Sequence, residues 1–142
     1  MAGKIDYNSG DKTGKKLSRM NYIGIDIIEI ARIEKAISRW GESFLHRVYT
    51  DPELKLYHNK PSSLAARFAG KEAVIKALGP QIKGINWREI EILSDPGGKP
   101  SVHLYGKAQN RADSLGLDKL AISLSHSKEY AIAFVAGETR QG

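Results

Sequence analysis

The segment from residue 62 to residue 78 constrains the fold more than any other part of this 142-residue sequence. Ser62 or Ser63 can cap the start of a helix here, and Gly79 followed by Pro80 ends it. On a helical wheel its apolar side chains form one stripe, made of Leu64, Phe68, Ile75 and Leu78. A helix of this length with one apolar stripe must be covered, so we expect it to pack against a sheet.

Three charged side chains interrupt this helix at positions that plain packing does not explain. Lys71 falls within the apolar stripe, and Glu72 lies at its border. Lys76 lies one turn beyond Glu72, beside three small alanines. An acid and a base one turn apart usually form a solvated ion pair of little energetic value, but small neighbours leave room for a ligand. Both interpretations stay open on spacing alone.

The other segments predict short strands and helices without a regular alternation of the two. Strands are predicted over Tyr22–Glu29, 87–93, 101–104, 120–124 and 130–136. Helices are predicted over Ile30–Trp40, 44–49, 51–57 and 106–115. The turn at 95–100 joins two of the strands as a hairpin. The fold class is therefore α+β, with a mainly antiparallel sheet packed against the long helix.

Length and composition fit one folded domain at 22–137, between an N-terminal extension at 1–21 and a tail at 138–142. The absence of cysteine excludes a disulfide scaffold, a thiolate zinc site and a cysteine nucleophile. No apolar run is long enough for a transmembrane helix, and no signal-peptide core follows the first basic residues. We expect a cytoplasmic protein with no membrane partner, and an extension that is disordered or loosely attached.

The net charge of +6 raises an alternative function, that of a basic nucleic-acid- or ribosome-associated binding module. Residues 1–20 hold five basic and two acidic side chains, so half of the excess charge lies in the N-terminal extension. The tyrosines do not alternate with basic residues in any RNA-binding pattern. The charge is therefore poor evidence for a nucleic-acid partner, and we expect none.

Asp26 interrupts a run of isoleucines in the first predicted strand. We expect this strand to be buried, with Ile23, Ile25 and Ile27 on one face and Asp26 on the other. An ionised carboxylate inside an apolar strand costs several kcal/mol unless something compensates it. Asp26 is therefore either a metal ligand or the partner of a structural group, such as a buried arginine or a helix N-terminus.

Residues 123–128, with the sequence SLSHSK, are polar and lie at the end of a predicted strand. A serine nucleophile paired with His126 is not expected, because adjacent strand residues point to opposite faces and no G-x-S-x-G elbow precedes them. Hydroxyls, an imidazole, an ammonium group and turn amides together suit an anion such as phosphate. The alternative is an ordinary polar turn after a strand.

These features belong to four segments that occur in a fixed order. They are Gly24-Ile25-Asp26-Ile27; Arg67-Phe68-Ala69-Gly70-Lys71-Glu72-Ala73 with Lys76-Ala77-Leu78-Gly79; Asp95-Pro96-Gly97-Gly98-Lys99-Pro100; and Ser123-Leu124-Ser125-His126-Ser127. In this set, and over about residues 22–135, the chain resembles the short bacterial holo-acyl-carrier-protein synthases, a type of 4′-phosphopantetheinyl transferase. The resemblance implies that family's fold and a homotrimer with active sites at the subunit interfaces.

The resemblance also implies a reaction and a cofactor. The family transfers the 4′-phosphopantetheine group of coenzyme A to a serine of apo acyl carrier protein in fatty acid biosynthesis, and releases adenosine 3′,5′-bisphosphate. By this resemblance Asp26 and Glu72 bind Mg²⁺ and Lys76 contacts the coenzyme A pyrophosphate, so these three are the expected catalytic residues. Larger relatives carry a third metal carboxylate where this chain has Ile28, and in the short branch water fills that position.

Contacts to coenzyme A and to the carrier protein are implied in the same way. The expected coenzyme A contacts, besides Lys76, are Arg67, Gly98, Lys99, Pro100, Ser125, His126 and Ser127. Arg32 and Arg39 lie seven residues apart on one face of the first helix, and they are the expected docking groups for the acidic carrier protein. The alternative is that they are ordinary surface arginines.

Overall fold

The computed structural model describes residues 22–79 and 83–140. Its strands are β1 Tyr22–Glu29, β2 Ile90–Ser94, β3 Pro100–Leu104, β4 Leu117–His126 and β5 Tyr130–Thr139. Its helices are α1 Ile30–Trp40, α2 Glu42–Val48, α3 Asp51–Tyr57, α4 Pro61–Leu78 and α5 Gly106–Ser114, with a 3₁₀ turn at Trp87–Glu89. The predicted N-terminal extension at 1–21, Pro80 at the predicted helix end and the last two residues of the predicted tail lie outside the described residues.

Two antiparallel sheets contain the strands. The larger sheet has the order β1-β5-β4, so that β5 is central. The smaller sheet is the hairpin of β2 and β3, closed by the turn at 95–100. The predictions of an α+β fold, a mainly antiparallel sheet and a hairpin at this turn are therefore confirmed.

Helix α4 lies at the centre of the domain, as its sequence predicts, and most of its residues are buried. Glycines allow other elements to come close to it. A Cβ added to Gly24 of β1 would lie 1.8 Å from the carbonyl oxygen of Ala73, and one added to Gly70 would lie 2.5 Å from Cδ1 of Ile92. The strands therefore pack directly onto the helix backbone. Despite this burial, neither α4 nor any other helix in the described part of the chain is long and apolar enough to cross a membrane.

Strand β1 buries only one of its two faces. Ile23, Ile25 and Ile27 are 54%, 55% and 59% exposed, whereas Gly24 and Ile28 on the other face are buried. The strand itself is confirmed, but the expectation that it is fully buried is wrong for the single chain. The reason is steric, because only the face that carries Gly24 allows α4 to lie against the strand.

Several boundaries differ from the sequence prediction. Residues 87–89 form a 3₁₀ turn before β2 instead of the start of that strand. Helix α4 begins at Pro61 without a side-chain cap, so Ser62 and Ser63 lie within its first turn; proline suits this position because it has no N–H group that needs a partner. Strand β5 continues to Thr139, two residues beyond the expected end of the domain.

A buried polar network joins α3, α4 and β2. Thr50 and Glu53 form a capping box at the start of α3, which confirms the predicted helix start. The Glu53 carboxylate also accepts hydrogen bonds from Lys71 Nζ at 2.7 Å and from the backbone N–H of Ile92 at 2.8 Å. Burial lowers the pKa of Lys71, and the nearby Glu53 carboxylate acts against that shift. The lysine in the apolar stripe is therefore half of a buried ion pair.

We expect Lys71→Met to lower the free energy of unfolding by about 3–5 kcal/mol, because it leaves the Glu53 carboxylate buried without its charged partner. The matched control is Arg88→Met, which breaks an exposed pair with Asp51 at 3.3 Å and should cost less than about 1 kcal/mol. Urea unfolding followed by circular dichroism measures both values. Equal losses in the two variants would contradict a stabilising role for the buried pair.

Candidate active site

Asp26 lies where β1 meets the last turns of α4, and its partner is a lysine from that helix. Lys76 Nζ donates to Asp26 Oδ1 at 2.9 Å and to the backbone carbonyl of Ile25 at 2.9 Å. The Asp26 side chain is 18% exposed, so it stands at the edge of the core and not within it. The ammonium group compensates the carboxylate charge, and neither a buried arginine nor a helix N-terminus is the group that pairs with it.

Glu72 lies one turn before Lys76 on α4 and faces the same cleft as Asp26. The Glu72 side chain is partly exposed, and its Oε1 accepts a hydrogen bond of 2.6 Å from Trp87 Nε1. The cleft has a volume of about 390 Å³. Its lining consists of Asp26, Ile27, Ile28, Arg32, Ile33, Ala36, Trp40, Phe44, Phe68 and Glu72. Two carboxylates that are 46 positions apart in the chain therefore share one open space.

The carboxylates of this cleft suit a small, hard cation. Mg²⁺ is typically held by one or two carboxylates, with water and substrate phosphate as the remaining ligands. Across residues 22–79 and 83–140 there is no group of three histidine, aspartate or glutamate side chains that could hold a metal ion by themselves. Ile28, two residues after Asp26, also lines the cleft and offers no ligand atom in its side chain. The donor set of the cleft thus fits Mg²⁺ and does not resemble an all-protein zinc site.

The two candidate docking arginines lie on the exposed side of α1. Arg32 is part of the cleft lining, next to the two carboxylates. The Arg39 guanidinium lies 5.0 Å from the ring centroid of Trp40, which also lines the cleft. Both arginines are therefore exposed beside the same opening.

Arg67 lies on a different side of α4 and is buried. Its guanidinium stacks 3.7 Å from the ring centroid of Tyr57, and Nη2 donates to the Tyr57 hydroxyl at 2.7 Å and to Ser94 Oγ at 3.1 Å. Its Nε has no hydrogen-bond partner among the described residues. Arg67 does not line the cleft of Asp26 and Glu72, and it lies instead at the end of β2, just before the glycine-rich turn.

The glycine-rich turn opens onto a second cleft. Gly98 has a φ of 86°, and the backbone N–H of Lys99 donates to Asp95 Oδ1 at 2.9 Å, which fixes the turn. Lys99 and Pro100 line a space of about 490 Å³ between β3, α5 and β4. Within one chain, this cleft is separate from the one that holds Asp26.

The polar end of β4 lies at a third place. Strand register places His126 on the same face of the sheet as Asp26, with the central strand between them, whereas Ser125 lies on the opposite face. Ser127 fixes the turn to β5, because its Oγ accepts from the backbone N–H of Tyr130 at 3.1 Å. All three residues are exposed.

Over residues 22–135 the sequence matches the family model of the 4′-phosphopantetheinyl transferase superfamily. The chain belongs to the 4′-phosphopantetheinyl transferase superfamily. A protein of Dehalococcoides mccartyi strain CBDB1, named holo-[acyl-carrier-protein] synthase, is 55% identical over 119 residues, which are 84% of this chain and 99% of that protein. A protein of the same name from Herpetosiphon aurantiacus is 50% identical over 121 residues, with coverages of 80% and 95%.

The fold of this transferase is also that of a solved relative. The crystal structure of Helicobacter pylori holo-[acyl-carrier-protein] synthase in complex with coenzyme A matches with a TM-score of 0.73 and 39% identity. The match covers 81% of this chain and 98% of that chain. The recognition of the family from the ordered segments is therefore confirmed.

The single transferase chain brings only part of the predicted site together. Asp26, Glu72 and Arg32 line one cleft and Lys76 contacts Asp26, whereas the turn at 97–100 and the strand end at 125–127 lie elsewhere. Trp87, which holds the Glu72 carboxylate, is not among the predicted site residues, because the pattern over 87–93 predicts a strand. A signal was available, since the chain has only two tryptophans and this one lies three residues before the start of β2.

Proposed function

We propose that this chain is a holo-acyl-carrier-protein synthase. It transfers the 4′-phosphopantetheine group of coenzyme A to a serine of apo acyl carrier protein and releases adenosine 3′,5′-bisphosphate, in fatty acid biosynthesis in the cytoplasm. The observation that carries the proposal is that Asp26 and Glu72 line one cleft, with Lys76 bound to Asp26, in a chain with close relatives of that name. Coenzyme A bound to the Helicobacter pylori protein supports the same donor.

Asp26 and Glu72 are the residues that would hold Mg²⁺. When bound, the ion neutralises negative charge on the pyrophosphate of coenzyme A. The Lys76 ammonium lies 2.9 Å from the Asp26 carboxylate, so it can supply a further positive charge at the same place. A lysine acts here as a movable point charge, because its stem is flexible and its head is compact.

The chemical step is a displacement at phosphorus. The serine oxygen of the carrier protein forms a bond to the phosphorus that bears the pantetheine. The bond from that phosphorus to the bridging oxygen breaks, and adenosine 3′,5′-bisphosphate leaves with the electron pair. The serine proton passes to water or to a carboxylate such as Glu72. Lys76 stabilises the charge that develops on the leaving group.

The exposed side of α1 is the surface proposed to receive the carrier protein. Arg32 opens onto the cleft and Arg39 lies beside Trp40, so both present positive charge at the entrance. Complementary charge speeds the encounter of an acidic partner with such a surface. The carrier serine must reach the two carboxylates, and the position of Arg32 next to them supports this approach.

A homotrimer with shared active sites is supported by the outer face of the larger sheet. Ile23, Ile25 and Ile27 of β1 lie there beside Ile132 and Phe134 of β5, and all five are exposed in the single chain. A continuous apolar patch of this kind marks an interface between protein molecules. Association also offers a way to bring the second cleft and Arg67 of one subunit to the carboxylates of another, and so to complete the coenzyme A site.

We expect the chain to add the mass of one 4′-phosphopantetheine to an apo acyl carrier protein when coenzyme A and Mg²⁺ are present. Asp26→Asn and Glu72→Gln should each lower the rate by about 100-fold or more, because each removes a carboxylate that would hold the Mg²⁺. Asp113→Asn on the exposed side of α5 is the control and should keep the wild-type rate. Mass spectrometry of the carrier protein measures the rate of modification by the wild type and by each of the three variants. Absence of modification by the wild type would contradict the proposed function.

We expect Arg32→Glu to raise the KM for the acyl carrier protein by about 5- to 10-fold and to weaken its dependence on salt, because the charge that steers the acidic partner is reversed. Arg140→Glu reverses a charge at the far end of β5, and it should leave this KM unchanged. Steady-state kinetics at several salt concentrations provide the test. An unchanged KM in the Arg32 variant would contradict the docking role and leave Arg32 an ordinary surface arginine.

We expect the wild type to sediment with the mass of three chains, and Phe134→Glu to sediment with the mass of one, because a buried unpaired charge is costly at an apolar interface. His103→Glu, at an exposed position of β3, should remain trimeric. Analytical ultracentrifugation separates these species, and circular dichroism checks that the variants are folded. A monomeric wild type would rule out the trimer.

A further inference from the structure

We propose that Trp87 is a positioning residue that orients the Glu72 carboxylate toward the cleft. The indole Nε1–H donates to Glu72 Oε1 at 2.6 Å, from the 3₁₀ turn that precedes β2. A hydrogen bond to an ionised acceptor is short and stronger than one between neutral groups. The inference rests on the proposed function, in which Glu72 binds Mg²⁺.

Trp87 can orient another side chain because it is itself held at two points. Its backbone carbonyl accepts from Lys71 Nζ at 3.1 Å, and Lys71 is fully buried against Glu53. Its ring packs against Phe68 of α4, with 5.8 Å between the ring centroids. The buried ion pair and the aromatic contact together fix the indole relative to α4.

In Glu72 only one of the two carboxylate oxygens is engaged by Trp87. Oε1 is held by the indole, and Oε2 stays available on a side chain whose rotation is restricted. A free glutamate loses rotamer freedom when it binds a cation, and a glutamate that is already held loses less. Groups that orient a metal-binding carboxylate in this way typically contribute about 10- to 100-fold to metal affinity.

The neighbouring residues of α4 thus act on the same turn from two sides. Lys71 faces the core and donates to the backbone carbonyl of Trp87. Glu72 faces the cleft and accepts a hydrogen bond from the indole of Trp87. The polar network that stabilises the domain is therefore connected to the cleft through a single residue.

Trp87→Phe tests the inference, because it keeps an aromatic ring against Phe68 and removes the N–H donor. We expect the Mg²⁺ concentration for half-maximal transfer to rise by about 10-fold or more, with kcat at saturating Mg²⁺ within about two-fold of wild type. Mn²⁺ binding to the coenzyme A-saturated protein, followed by electron paramagnetic resonance, should weaken by a similar factor. Tyr105→Phe is the matched control, because it removes a donor to a different carboxylate, Glu91, at 3.1 Å, and should change neither value.

Nuclear magnetic resonance of the tryptophan indoles gives a readout that does not need a Trp87 variant. The chain has two tryptophans, so ¹⁵N labelling yields two indole signals, and Trp40→Phe assigns them. We expect the Trp87 signal to lie downfield and to be protected from exchange with water. Glu72→Gln should move it upfield and reduce its protection, while the Trp40 signal stays in place. A Trp87 signal that exchanges freely in the wild type would overturn the inference.

The two binding measurements separate this inference from the function on which it rests. If Glu72→Gln binds Mn²⁺ like the wild type, Glu72 is not a metal ligand, and the positioning inference fails together with that role, while modification of the carrier by the wild type still decides the proposed function. If Glu72→Gln loses Mn²⁺ but Trp87→Phe retains wild-type affinity, only the positioning role of Trp87 fails. If Trp87→Phe does not fold, the indole signals of the wild type and of Glu72→Gln decide the question.

Discussion

At Gly24 the backbone of β1 touches the backbone of α4, since a Cβ at that position would lie 1.8 Å from the carbonyl oxygen of Ala73. Because β1 and α4 lie so close together, the side chain of Lys76 on the helix reaches the strand and donates to both Asp26 and the carbonyl of Ile25. A larger residue at position 24 would force the strand away from the helix. The ion pair between Lys76 and Asp26 therefore depends on the absence of a side chain at Gly24.

The same helix carries charges on two sides for two different purposes. Lys71 is fully buried, and its ammonium is compensated by Glu53 and by backbone carbonyls, which offsets the desolvation that lowers its pKa. Glu72, the next residue along the helix, points about 100° away and reaches the cleft. Removal of Lys71 would thus affect stability first, whereas removal of Glu72 would affect the cleft. Trp87 links the two, because it contacts both residues.

In the single chain, an apolar sheet face is exposed and the predicted coenzyme A contacts lie in separate places. The outer face of the larger sheet carries exposed isoleucines and Phe134, and the polar places at 97–100 and 125–127 lie apart from Asp26. Association of chains through that sheet face would cover the apolar side chains, and it could bring residues 97–100 and 125–127 of one chain close to Asp26 of another. A chain of 142 residues has a small volume for its surface, so the proposed sharing of a site between copies would help it to surround a large cofactor.

Much of this protein was determined by its sequence alone. The α4 helix, its glycine end and the start of α3 follow from local chemistry, because a helix end needs partners for its own backbone groups wherever it is placed. The four ordered segments also identified the superfamily. The pattern around Asp26 predicts a partner for its carboxylate, since an apolar strand does not tolerate an unpaired charge.

Only the tertiary structure decided which face of β1 is buried, which group pairs with Asp26, and what holds Glu72. Alternation in a strand separates two faces but does not say which of them meets a helix, and here the fit around Gly24 outweighed the hydrophobicity of three isoleucines. Lys76 and Trp87 lie 50 and 15 positions from the carboxylates they contact. Contacts at such separations depend on how the elements pack, and no local pattern in the sequence encodes them.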